Sequence, residues 1–334
     1  MEFWFMVLII AMAIGFDFLN GMNDAANAIA TVVSTRVLKP QYAVVWAAFF
    51  NFAAIFLMGT GVAKTIGKGI IDPSIITSML IFAALFGSIV WVYTCTRAGM
   101  PISVSHALIG GLIGAGIASS GVQSLVLSGV LKVCLFIFLS PLLGLVLGFI
   151  SMVLLSWFVR FWTPGKVDSI FRKAQLVSAA VYSLSHGSND AQKTMGIIAA
   201  LLFANGYLGG EFHIPFWVIA VCYTAIGLGT MMGGWKVVET MGMRITKLQP
   251  IGGFGAETSG GVVILIMSAL GIPVSTTHTI TGAIAGVGSA KRMSAVRWNV
   301  AGNIVWAWIL TIPTTALVSW IVFHAANYIK NTFL

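Results

Sequence analysis

Long apolar runs broken by a few polar clusters set the pattern of this chain. Phe3–Leu19 is apolar and ends at a polar cluster, Asn20–Asp24, from which a helix is predicted to restart at Asn23 and run toward Val33. Further spans are predicted near Tyr42–Val62 and Ile75–Ala98, before Met100–Pro101 breaks the pattern. Val104–Ala118 is Gly-rich and too short to cross a bilayer comfortably with its flanks. Val122–Phe161 is long enough for two crossings and carries Pro141 near its middle. The order then repeats. Gln175–His186 leads to Asn189–Asp190 and a helix toward Phe203, with spans near Pro215–Trp235 and Ala256–Leu270. Ile272–Pro273 breaks the pattern again, Thr276–Gly288 is a second short segment, and the last run, Trp298–Tyr328, carries Pro313.

The repetition extends to individual residues. Gly21-Met22-Asn23-Asp24-Ala25 returns as Gly187-Ser188-Asn189-Asp190-Ala191, 166 residues later. Gly99–Gly116 aligns with Gly271–Gly288 at an offset of 172, and 7 of its 18 pairs are identical, too many in an ungapped stretch to be coincidence. Pro141 and Pro313 keep that offset. A duplicated membrane unit follows: 1–160 as a first repeat, 161–173 as a linker and 174–334 as a second repeat. Interrupted helices at matched positions favour an inverted relation between the halves. The fold class expected is an all-α polytopic membrane protein, built from two inverted-topology repeats with broken helices and re-entrant-type hairpins, about 10–12 membrane segments in all.

Composition agrees. The 334 residues are 58% apolar and 8% charged, against roughly 25% charged for a soluble domain. Such a chain has room for about ten spans and for no large soluble domain. The first apolar run lacks a basic leader and a small-residue cleavage site and reads as a retained helix. The net charge of +9 sits mainly in loops, so it indicates the positive-inside rule and not nucleic acid. Arg160, Lys166, Arg172 and Lys173 place the linker in the cytoplasm. Cys95, Cys134 and Cys222 fit neither a metal spacing nor a disulfide framework. His106 and His278 are expected to cap or pack their hairpins. The Gly runs Gly110–Gly116 and Gly282–Gly288 read as close-packing devices.

The candidate chemistry lies in the repeated motifs. An acid within a membrane segment is costly and points to function. Side-chain oxygens of Asn23, Asp24, Asn189 and Asp190 suit a hard cation such as Na⁺. Helix starts at these motifs and at the two hairpins would give four half-helix N-termini, about +2 in total, enough to balance a divalent phosphate. Ser103, Ser105, Ser275, Thr276 and Thr277 supply hydroxyls that both donate and accept. Gln192, in the first turn after the second motif, and Lys193, three residues beyond Asp190, are further candidate anion ligands, although an i,i+3 ion pair is the simpler reading of Lys193. Asn27 matches Lys193 in the first half. Glu257 is another intramembrane acid, with a cation-binding or gating role expected. Asp17 has no evident partner.

Gly-x-Asn-Asp-Ala-x-Asn-Ala at Gly21–Ala28 and Gly-x-Asn-Asp-Ala-Gln-Lys at Gly187–Lys193 resemble the paired signatures of the PiT family of inorganic phosphate transporters, as do the Pro-Ile-Ser and Pro-Val-Ser-Thr-Thr-His hairpins. The resemblance covers nearly the whole chain. It implies a phosphate symporter driven by Na⁺ or H⁺, an inverted-repeat fold and a homodimer. Two departures stand out. Leu85 lies opposite Glu257, where some members carry a second acid, and Asn51 stands where some have Glu. The expected function is Na⁺-coupled uptake of inorganic phosphate by alternating access in the cell membrane, with no catalytic residues and no cofactor beyond the coupling ion. Asn23, Asp24, Asn189, Asp190 and Glu257 are assigned to Na⁺, and Ser103, Ser105, Ser275, Thr276, Thr277, Gln192, Asn27 and Lys193 to phosphate. H⁺ coupling, sulfate as substrate and an anion channel remain open alternatives. A membrane-embedded hydrolase would need a nucleophile–base pair or metal cluster that no spacing demands.

Overall fold

In the computed structural model, which describes residues 2–56 and 59–333, the chain is helical throughout apart from short connections. The first half contains α1 (Glu2–Ser34), α2 (Pro40–Ala53), α3 (Gly61–Gly69), α4 (Ser78–Ala98), α5 (Val104–Ser120) and α6 (Leu127–Phe158). The second half contains α7 (Pro164–Ala204), α8 (Phe216–Met232), α9 (Trp235–Glu239), α10 (Pro250–Ala269), α11 (Thr276–Lys291) and α12 (Trp298–Phe333). Helices α1, α4, α6, α10 and α12 are each long and apolar enough to cross a membrane, and α8 with residues 235–244 reaches that length and apolarity only as a pair, bent by 68°. Large apolar side chains such as Phe138, Leu154, Trp306 and Leu310 stand exposed on α6 and α12, where lipid would cover them. The expected span at Tyr42–Val62 crosses residues 57–58, which lie outside the described residues.

Packing is reciprocal between the halves. Helix α1 lies on α8 and α2 on α7, while α5 lies on α12 and α11 on α6. Each half therefore completes the core of the other. The hairpins explain their own sequence. Gly99 and Gly271 end α4 and α10 at φ 73° and 66°, left-handed values that favour Gly. A Pro follows two residues later, and Ser103 and Ser275 then cap α5 and α11, each accepting the N–H of the His three residues on at 3.2 Å. The repeated Gly-x-Pro-x-Ser string is thus a stop, a break and a start.

The structure departs from the sequence reading at the Asn-Asp motifs. Helix α1 runs unbroken through Asn20–Asp24, and α7 runs unbroken through Gly187–Asp190. Gly, Asn and Asp are poor helix formers, but tertiary partners override propensity; here the Asn and Asp side chains bond to neighbouring helices instead of capping their own. Two hairpin N-termini remain, giving about +1 and not +2. The long run with Pro141 is likewise one helix, α6, not two crossings. Helix α7 already begins at Pro164, so most of the basic linker is its first turns.

The Gly runs are seams, as expected. On the α11–α6 face, a Cβ at Gly286 would lie 2.8 Å from the Phe149 backbone nitrogen, and one at Gly148 would meet the Ala283 backbone. Overfilling such a contact costs about 1–3 kcal/mol. Gly286→Leu is expected to lower the thermal unfolding midpoint of detergent-purified protein, and an unchanged midpoint would show that the seam is looser than it looks.

Candidate functional site

The two motifs meet where α1 packs on α7, with His186 between Asp24 and Asp190. Gly187 lets α7 approach α2, since a Cβ there would lie 2.6 Å from the Asn51 carbonyl oxygen, and Gly21 lets α1 approach α8, where a Cβ would run into the Ile226 carbonyl. In each half the motif Asn is held by its own hairpin's first helix. Asn23 Nδ2 donates to Thr96 Oγ1 at 2.7 Å, and Asn189 Nδ2 donates to Ser268 Oγ at 2.8 Å. Thr96 and Ser268 are themselves 172 residues apart. Both Asn side chains are thereby fixed with Oδ1 buried and unpartnered among the described residues. A buried acceptor without a donor costs about 1–3 kcal/mol unless something electropositive reaches it.

The α11 hydroxyls join the two carboxylates. Asn27 Nδ2 donates to Thr277 Oγ1 at 3.0 Å and to Thr276 Oγ1 at 3.3 Å. Thr277 in turn donates to Asp24 Oδ1 at 3.3 Å, and Thr276 donates to Asp190 Oδ2 at 3.1 Å. Across the cluster, Lys193 Nζ donates to Asp190 Oδ1 and Ser105 Oγ, each at 2.5 Å, and to the Val274 carbonyl at 2.9 Å. Ten residues of the expected set therefore surround one cluster or cap the hairpins beside it: Asn23, Asp24, Asn27, Ser105, Asn189, Asp190, Lys193, Ser275, Thr276 and Thr277. Ser103 caps the other hairpin. All eleven are 8% exposed or less, so the cluster is shut from solvent.

Two expected residues lie elsewhere. Gln192 Oε1 accepts the Val62 and Ala63 N–H groups at 2.9 and 3.3 Å, while its Nε2 donates to the Ser188 carbonyl at 2.6 Å. It caps α3, a task that leaves little capacity for an anion. Glu257 accepts from Gln175 Nε2 at 2.9 Å and from the Ser178 hydroxyl. Ser178 is 12 residues before Asp190 on α7, a separation of about 18 Å along a helix, so Glu257 belongs to a separate polar cluster. Asp17 finds its partner in Thr194, whose hydroxyl donates to Oδ1 at 2.9 Å.

Sequence reasoning missed His186. Its Nδ1 lies 3.1 Å from Asn51 Oδ1, and Asn51 Nδ2 donates to Thr230 at 3.0 Å, so Nδ1–H is the donor there. Its Nε2 stands 3.2 Å from Asp190 Oδ2 and 3.9 Å from Asp24 Oδ2. The one available signal was position: His186 directly precedes Gly187 and matches Asn20 at the 166 offset. Asp24, His186 and Asp190 together could hold a cation. The hairpin imidazoles are packing groups, as expected. His106 and His278 meet edge to face at 4.7 Å, and His278 stacks on Trp308 at 3.7 Å.

The chain is similar to known proteins over nearly its whole length. Residues 20–319 match the model of the phosphate transporter family. A protein of Rhizobium meliloti described as a "probable low-affinity inorganic phosphate transporter" is 57% identical over 98% of each chain. A protein of Bacillus subtilis with the same description is 42% identical over 97% of each. Among solved structures, "The sodium-dependent phosphate transporter" matches with a TM-score of 0.89 at 27% identity, covering 97% of this chain and 99% of that one.

Proposed function

From the premise that this chain belongs to the phosphate transporter family, and is a multi-pass membrane transporter and not an enzyme, we propose that it carries inorganic phosphate into the cell together with Na⁺. Asp24 carries the reading. Its carboxylate receives one long bond, from Thr277 at 3.3 Å, and His186 stays 3.9 Å away. The Oδ1 of Asn23, one residue earlier on α1, is likewise buried and unpartnered among the described residues. A buried anionic oxygen with so few donors calls for a cation, and the carboxylate of Asp24 with the Thr277 hydroxyl supplies the oxygen ligands that suit Na⁺.

Phosphate would bind next to that ion, through the hydroxyls of Ser105, Thr276 and Thr277 and the N-termini of α5 and α11 beside the Ser103 and Ser275 caps. Cation charge raises anion affinity there, and by linkage phosphate raises cation affinity, which is the coupling. Burial of the whole cluster supports alternating access, since the ions need a path to each side in turn. The reciprocal packing of the halves supports an inverted repeat rocking about this cluster. A homodimer is part of the same proposal, on the resemblance alone.

His186 favours a second reading, because a proton on Nε2 between two carboxylates would supply the same charge as Na⁺. Labelled-phosphate uptake into proteoliposomes separates the cases. Uptake is expected to need an inward Na⁺ gradient and to stop in choline. Uptake driven by a pH gradient without Na⁺ would replace Na⁺ by H⁺, and uptake indifferent to both would indicate a channel. Competition by sulfate would widen the substrate class.

A further inference from the structure

We propose that the Lys193 ammonium is a resident cation, filling in the second half the place that a mobile Na⁺ fills in the first. The inference rests on the reading that Asp24 and Asp190 belong to the transport site. It follows from comparing the two halves atom by atom.

Each half builds the same triangle: a motif carboxylate, the side chain three residues on, and a hydroxyl from the opposite hairpin. In the first half these are Asp24, Asn27 and Thr277; in the second they are Asp190, Lys193 and Ser105. Ser105 and Thr277 are matched at the 172 offset, and Asn27 and Lys193 at the 166 offset. The difference lies in the middle corner. Asn27 contributes a neutral amide, bonded to the two Thr hydroxyls and not to Asp24, so the charge of Asp24 is left over. Lys193 contributes a full positive charge, bonded only to oxygens: Asp190 Oδ1, Ser105 Oγ and the Val274 carbonyl. Carboxylate, hydroxyl and carbonyl are also the donor set of a small hard cation. An ammonium with three donors satisfies three such oxygens without leaving one over.

The occupancy of the carboxylates agrees. Asp190 has both oxygens committed, Oδ1 to Lys193 and Oδ2 to Thr276, with His186 Nε2 at 3.2 Å from Oδ2. Asp24 has a single long bond. Lys193 is 2% exposed and Asp190 is fully buried, so neither charge has water as an alternative partner. The pair is also too deep to be a surface i,i+3 contact of the kind that stabilises an isolated helix. The consequence is a lower cation requirement: the second carboxylate carries its own counter-ion through the cycle, and only the Asp24 half exchanges Na⁺ with solvent.

The test is Lys193→Asn, which gives the second half the residue of the first, with Lys193→Met as a second variant that adds no competing ligand. Thermal unfolding midpoints of the purified full chain are measured across Na⁺ concentrations, with choline as the control salt. Both variants are expected to be less stable than wild type in choline and to gain more from Na⁺ than wild type does, because an additional ion binds the folded state. Asp190→Asn/Lys193→Met, which removes the carboxylate as well, should lose that extra gain. In proteoliposomes, Lys193→Asn should show a steeper Na⁺ dependence of uptake than wild type. The same Na⁺ dependence in the single variants and wild type would overturn the proposal. So would failure of both single variants to fold in Na⁺ while the double variant folds. The Na⁺-symport reading is judged separately, by wild-type uptake; the Lys193 assignment is judged by the difference between variants and wild type, whichever ion drives the wild type.

Discussion

Asp24→Asn should abolish Na⁺-driven phosphate uptake while leaving the protein folded. Among the described residues no Lys or Arg reaches the carboxylate, since Lys193 bonds Asp190, and the His186 Nε2 at 3.9 Å lies nearer to Asp190. Replacing it with an amide strands no buried charge, because a proton on His186 would still face Asp190 at 3.2 Å. An Asn at this position keeps an oxygen for the Thr277 hydroxyl, now 3.3 Å from Oδ1. The thermal midpoint in choline should accordingly stay close to that of wild type. Binding of Na⁺ should not survive, because the amide offers a partial negative charge where the carboxylate offers a full one. Removing one partner of a buried charge pair costs about 2–5 kcal/mol. At 1.4 kcal/mol per tenfold, that corresponds to roughly 30- to 4000-fold in affinity. Initial rates of labelled-phosphate uptake against Na⁺ concentration provide the measurement. A variant that retains Na⁺-dependent uptake with an unshifted midpoint would remove Asp24 from the cation site.

The residues of this site were more legible in the sequence than its geometry. Asn23, Asp24, Asn189 and Asp190 were identifiable because they are duplicated and because acids in apolar runs are costly. The hairpins were legible for a local reason: Gly99, Pro101 and Ser103 each act on their own backbone, and their second-half counterparts do the same. The course of α1 and α7 was not legible. Propensity at Gly-Met-Asn-Asp argues for a helix start, and only Thr96, Ser268, Thr276 and Thr277, distant in sequence, absorb the polar groups that would otherwise break the helix. Gln192 was misplaced for a similar reason. Its neighbours in sequence are the motif, but its partners are Val62 and Ala63 at the start of α3. His186 stood next to the motif and was passed over because a lone His has no spacing to announce it. Except at His186, local rules named the residue, and in every case a long-range contact decided its task.

The second carboxylate should behave quite differently from the first. Asp190→Asn leaves the Lys193 ammonium in a dry site with neutral oxygens only: Ser105 Oγ, the Val274 carbonyl and the new amide oxygen. Breaking one side of a buried ion pair is destabilising by about 3–5 kcal/mol, because the surviving charge has lost its only full counter-charge. The expected result is a protein that accumulates poorly and unfolds at a markedly lower temperature, in Na⁺ and in choline alike, since Na⁺ cannot compensate a stranded cation. Asp190→Asn/Lys193→Met should recover most of the lost midpoint by removing that cation. The coupling energy from the double-mutant cycle then measures the pair itself. If the double variant is as unstable as Asp190→Asn, the damage comes from the lost Thr276 contact and not from the charge. If Asp190→Asn is as stable as Asp24→Asn, the two carboxylates are equivalent after all, and the asymmetry seen between Asn27 and Lys193 has no energetic weight. The contrast is sharp because the motifs are near-copies: the same substitution at matched positions should cost coupling in one half and folding in the other.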